Sequence, residues 1–122
     1  ELARFMLALK VALRRVNAVP SLVFDEVDAG IGGAVADAVG ERLARLGQDA
    51  QVLVVTHSPQ VAARAAHHWQ ISKSDAADGL PATAITPLDS QARREEIARM
   101  LSGAEISDEA RAAADKLLTN PA

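Results

Sequence analysis

The chain has 122 residues, 49% of them hydrophobic and 24% charged, with a net charge of -3 and no cysteine. That suits one small globular unit with a core, and it is short for a complete nucleotide-hydrolysing domain. It excludes a disulfide framework, thiol catalysis and cysteine-ligated metal, and it argues against a self-sufficient DNA-binding patch, which needs clustered Lys and Arg.

Leu2, Phe5, Met6, Leu9, Leu13 and Val16 recur at helical spacing. The stripe predicts a helix to about Asn17 with Phe5 and Met6 in the core. Arg4, Lys10, Arg14 and Arg15, set against Glu1 alone, read as a solvated helix face. The opening ELARFMLALKVALRR has no cationic lead or small-residue cleavage site, and it starts without methionine, as a piece cut from a larger machine would. No apolar stretch approaches the ~20 residues that cross a bilayer, so a soluble chain with no membrane contact is expected.

Pro20 closes a linker, and a strand from Leu22 to Asp25 follows. A run as apolar as Leu22-Val23-Phe24 predicts a strand buried on both faces, so the polar residues that end it, Asp25 and Glu26, emerge at the sheet edge where ligands of parallel sheets gather. Asp25 is a hard oxygen ligand of the kind Mg²⁺ prefers, directly or through its retained waters, and Glu26 has the chemistry to orient or deprotonate water. Adjacent strand residues point to opposite faces, so the two carboxylates need not share one job. The bland alternative is that the pair only starts a turn.

The segment Val27-Asp28-Ala29-Gly30-Ile31-Gly32-Gly33 is too glycine-rich for a strand or helix interior. Its glycines suit close backbone approach to a ligand or partner, and a plain helix-entry loop explains them equally well. A helix from about Ala34 to Leu46 is expected next, stopped at Gly47. Gly-x-x-x-x-Gly-Lys-Ser/Thr occurs nowhere in the chain, so no phosphate-cradling P-loop is present. Gln51 to Thr56 reads as a second buried strand, and strand-helix-strand order makes the two strands parallel. Both then end on one edge, which places His57 with Asp25 and Glu26, where it is able to donate to a phosphate oxygen or carry a proton.

Ser58 and Pro59 open a short helix running to about Ala66, with Ser58 as its cap. His67 and His68 read as surface and Trp69 as packing, since they have no acidic or cysteine partners at metal-ligand spacing. Trp69 to Ser72 and Thr83 to Thr86 suggest an antiparallel pair around a charged, mobile loop from Asp75 to Pro81. Ile97, Met100 and Leu101 form a helical stripe ended by Gly103, and Ser107-Asp108-Glu109 opens a last helix holding Leu117 and Leu118. One core is expected, with no second core and no repeat.

SLVFDEVDAGIGG, followed after 18 residues by VLVVTHSPQVAA, resembles the C-terminal half of an ABC-type ATPase head, and within that class the RecN family of bacterial SMC-like DNA-repair proteins. PLD at Pro87 to Asp89 and REEIARMLSG at Arg94 to Gly103 fit the same family. Transporter members usually carry a Pro-Thr-like step after the acidic pair, where this chain has Val27-Asp28.

The resemblance implies an α/β fold, mainly a parallel sheet with flanking helices, a short antiparallel pair and two C-terminal helices, with residues 1–122 forming the C-terminal lobe of a P-loop ATPase head. By position, Asp25 and Glu26 match the Walker B pair, with Asp25 implied for Mg²⁺ and Glu26 for the hydrolytic water. Asp28 matches the D-loop, implied at a nucleotide-bound interface between two heads, and His57 matches the switch histidine near the γ-phosphate. Glu1 to Phe5 resemble the residues leaving the signature motif, whose serine and glycines are absent. ATP and Mg²⁺ are the implied cofactors. The implied partners are an N-terminal lobe with the Walker A loop, a second head, and DNA through the whole protein, in a cytoplasmic, nucleoid-associated setting.

Without the P-loop lysine and amides the chain alone is expected not to hydrolyse ATP. Leu2, Phe5, Met6 and the strands are expected to leave apolar surface exposed where a missing lobe would pack. The readings left open are another SMC-like or transporter ATPase lobe, a non-catalytic α/β interaction module, and a free-standing Mg²⁺ phosphohydrolase.

Overall fold

A computed structural model describes residues 2–13, 21–75, 81–103 and 105–119. The helix end at Asn17, the linker at Pro20, the charges at Glu1, Arg14 and Arg15 and most of the Asp75 to Pro81 loop lie outside them. Nine elements are described: α1 (Leu2–Leu13), β1 (Ser21–Asp25), α2 (Gly33–Leu46), β2 (Gln51–Val55), α3 (Pro59–Ala63), β3 (Trp69–Asp75), β4 (Pro81–Pro87), α4 (Ser90–Ser102) and α5 (Asp108–Leu118).

β1 and β2 pair in parallel, from Ser21 opposite Gln51 to Asp25 opposite Val55, with α2 as the crossover. β3 and β4 pair antiparallel from Trp69 opposite Pro87 to Asp75 opposite Pro81, in a separate sheet. Among the described residues the parallel part of the α/β architecture is therefore the β1–β2 pair alone.

β1 and β2 are each covered on one face, which corrects the expectation of strands buried on both. Leu22 and Phe24 are buried, with Val52 and Val54 packed against them, while Val23, Leu53 and Val55 are 58%, 45% and 41% exposed. The physical reason is that α2 and α1 supply side chains to one side only: Ala36, Val39, Leu43, Leu46 and Leu7. The same holds for α1. Leu7 is its buried residue among those whose side chains are described, and Phe5, Met6 and Leu9 face outward. The helix is right over the described residues and its buried stripe is not, because these residues offer Phe5 and Met6 no cover.

A second core, not expected, joins α3, α4 and α5: Ala62, Ala63, Ile97, Ala98, Ala110 and Ala114, with Met100, Ile106, Leu117 and Leu118 against it. Five of its six buried members are alanines, so helices approach closely without the large apolar stripe by which a core is read from sequence. α3 belongs to both cores, with Val61 in the first and Ala62 and Ala63 in the second.

Local chemistry explains the helix ends. Ser58 caps α3 by accepting from the Val61 N–H, and the helix stops at Ala63, short of Ala66. Arg93 explains that stop, since its guanidinium donates to the carbonyls of Ala62 and Ala63 at 3.2 and 3.0 Å and meets the orphaned end of the helix. Asp89 caps α4 and Ser107 caps α5, each through a backbone N–H three residues on. Gly103 ends α4 at φ 80°, a conformation that glycine adopts without penalty.

Candidate functional site

Asp25 is the last residue of β1 and stands opposite Val55, the last residue of β2. The parallel pairing thus brings both strand ends to one edge, and His57 follows two residues beyond Val55. Asp25, Glu26 and His57 are all exposed there. The edge is fixed by the Glu26 N–H, which donates to the Val55 carbonyl at 3.0 Å and carries the pairing one residue past the strand.

Glu26 has φ 48°, the one positive value among the described non-glycine residues. Its carbonyl accepts from the Ala29 N–H at 3.1 Å, and the Asp28 carbonyl accepts from the Ile31 N–H at 3.3 Å around Gly30 at φ 71°. Two tight turns therefore follow the strand directly. They send Val27, 6% exposed, into the first core and leave the Glu26 carboxylate outside.

Asp28, expected at an interface between heads, is buried at 4% exposure. Its Oδ2 accepts a hydrogen bond from the Thr56 hydroxyl, so the carboxylate is engaged within its own chain. Thr56 Oγ1 in turn accepts from the Ser58 N–H at 2.9 Å. Sequence reading missed Thr56, taking it as the end of a strand. The available signal was a hydroxyl residue immediately before His57, at a parallel strand's carboxyl end.

Asp25 is the strand-end carboxylate that could hold a metal at this edge. No group of three or more His, Cys, Asp or Glu that could hold a metal ion is present among the described residues. Asp25 fits Mg²⁺ only in the manner of a hydrated ion that takes one protein carboxylate and completes its shell with water and phosphate oxygens. Asp25 would be the carboxylate of such an ion, and the described residues offer no cage for a free one.

The remaining histidines lie elsewhere. His67 is exposed as expected, whereas His68 is half-buried, and Trp69 is 57% exposed rather than packed. Trp69 is exposed because, among the described residues, nothing covers the β3–β4 face that it shares with Ile71 and Ile85. His68, Trp69, Pro87, Leu88 and Arg93 line a shallow cavity of about 270 Å³. Burial and the nearby Arg93 cation hold the His68 imidazole below its ordinary pKa. Glu96 is held below the usual carboxylate range by the Arg99 guanidinium, and it also accepts from Gln70 at 2.7 Å. The Gln70–Glu96 bond ties β3 to α4.

No family model matches the chain. Individual relatives do. The DNA repair protein RecN of Xylella fastidiosa (strain Temecula1) is 58% identical over 118 residues, 97% of this chain and 21% of the relative. By sequence, this chain is a relative of a segment of RecN. RecN of Streptomyces coelicolor is 47% identical over 97% of this chain, and RecN of Deinococcus radiodurans 54% identical over 84%. The chain spans about a fifth of the length of the RecN proteins it matches. Among solved structures, an SMC ATPase studied for ATP-driven dimerization and DNA-stimulated activation aligns over 84% of this chain and 61% of its own, with TM-score 0.66 and 19% identity. At that identity the likeness is one of fold, an SMC-ATPase-like α/β architecture. No helix among the described residues is long and apolar enough to cross a membrane.

Proposed function

We propose that the chain is the C-terminal lobe of a RecN-type ATPase head, contributing half of a composite ATP site to a protein that acts in recombinational repair of DNA double-strand breaks. The observation that carries the reading is the convergence of Asp25, Glu26 and His57 on the carboxyl edge of a parallel pair, in a chain related to RecN. Asp25 holds the nucleotide's Mg²⁺. Glu26 orients and deprotonates the attacking water, and His57 donates to the γ-phosphate oxygens as charge develops there.

The P-loop amides and lysine that position the triphosphate come from an N-terminal lobe of the same protein, and a second head closes the site. The chain alone binds no triphosphate productively, because positioning supplies most of the catalysis of phosphoryl transfer. The exposed face of Val23, Leu53 and Val55 suits cover by that lobe, whose strands extend the parallel pair into a mainly parallel sheet. In the cytoplasm, on nucleoid DNA, ATP joins two heads and hydrolysis parts them, and bound DNA responds to the change of shape.

The test is Glu26→Gln in the full-length protein. Removing the general base while keeping the side chain's size is expected to leave ATP bound and to lower turnover at least ~100-fold. Unchanged turnover would return the acidic pair to the role of a turn, and the chain to that of a non-catalytic interaction module.

A further inference from the structure

We propose that Asp28 is a positioning residue that, through Thr56, holds the His57 segment in register with Glu26; this rests on the ATPase reading of the edge. An Asp at this place would ordinarily be explained by its own turn, where it favours the first position. Its side chain does something else. It turns inward, 4% exposed, and reaches 28 residues along the chain to the Thr56 hydroxyl.

The hydrogens assign themselves. Thr56 Oγ1 accepts from the Ser58 N–H at 2.9 Å, so its single hydroxyl proton is directed at Asp28 Oδ2. The order Ser58 N–H to Thr56 to Asp28 carboxylate therefore brackets His57 on both sides. Ser58 is fixed further by capping α3 and by its hydroxyl's 3.0 Å bond to Gln60 Oε1. On the facing segment, Glu26 is bracketed in the same way, by its own N–H on the Val55 carbonyl and by buried Val27 and Asp28.

His57 is thus an outward residue between anchored neighbours, and Glu26, beside exposed Asp25, is held from its other side by buried Val27. The two segments are joined at two points, Glu26 to Val55 and Asp28 to Thr56. Asp28 Oδ1 is buried with no hydrogen-bond partner among the described residues. Burying a carboxylate so poorly satisfied is unfavourable, and a serine would serve a plain turn without that cost.

The experiment compares Thr56→Val, Thr56→Ser and Glu26→Gln in the full-length protein by steady-state ATP hydrolysis. Thr56→Val keeps the volume and removes the hydroxyl, and is expected to lower kcat about 10-fold or more with KM for ATP within about 2-fold. Thr56→Ser, which restores the hydroxyl, is expected to retain kcat within about 3-fold. If Glu26→Gln abolishes turnover and Thr56→Val leaves kcat unchanged, or if Thr56→Ser loses as much as Thr56→Val, the positioning role is overturned and the ATPase reading stands. If Glu26→Gln keeps full turnover, the reading beneath it falls. Should Thr56→Val not fold, amide hydrogen exchange on the unmodified protein decides: a protected Ser58 N–H supports the proposal, and an unprotected one overturns it.

Discussion

Glu26 sits at φ 48°, where a residue with a β-carbon is held at a cost of about 1 kcal/mol or more. Asparagine tolerates that region better. Glu26→Asn is therefore expected to raise the stability of the intact protein by up to about 1 kcal/mol, read as a higher melting temperature, while turnover is lost. A lower melting temperature would mean that the carboxylate itself supports the fold. Such a trade of stability for an outward-aimed functional group is common at active sites. Asp25, Glu26 and His57 were legible in the sequence, because residue type and strand-end position suffice to place them. Asp28 was singled out too, but Thr56 and its pairing with Asp28 were not, since the pairing depends on the depth and direction of two turns.

At the scale of elements, α3 couples the two cores with only five residues, Pro59–Ala63. Two devices fasten it to α2. Arg64, at its C-cap, donates to both oxygens of Asp37, at 2.8 and 3.0 Å from one guanidinium nitrogen. Gly40 lets the helices touch: a β-carbon there would lie 2.9 Å from Arg64 Cγ, 3.2 Å from the Gln60 carbonyl oxygen and 3.2 Å from Val61 Cα. In a solvated helix Gly→Ala would help by up to about 1 kcal/mol. At this contact overpacking costs roughly 1–3 kcal/mol, so Gly40→Ala is expected to destabilise by about 1–2 kcal/mol in denaturant unfolding. A gain would show that α2 and α3 are more loosely packed. α2 itself was readable from the spacing of Val39, Leu43 and Leu46. The alanine core beneath α3, α4 and α5 was hidden, because alanines mark close helix approach only once the partner helices are known.

For the whole molecule, the apolar surface left uncovered is the clearest departure from a self-contained fold. Phe5 and Met6 on α1, and Val23, Leu53 and Val55 on the parallel pair, are 41–64% exposed. The exposure matches the expectation that Phe5, Met6 and the strands leave apolar surface uncovered, and it overturns the one that buried them in this chain's own core, because apolarity reports that a face is to be buried and not which chain segment buries it. The chain spans about a fifth of the length of the RecN proteins it matches, and the proposed N-terminal lobe would cover these faces. In the proposed reading Asp25, Glu26 and His57 supply one side of a site, and the sequence holds no Gly-x-x-x-x-Gly-Lys-Ser/Thr to supply the phosphate cradle.

The most direct measurement is Mg²⁺-dependent ATP hydrolysis by this chain alone, and by this chain mixed with a separately produced N-terminal lobe carrying the P-loop. A composite site predicts no turnover from the chain, turnover from the mixture, and its loss on Glu26→Gln. Turnover by the chain alone, or none from a well-folded mixture, would contradict it.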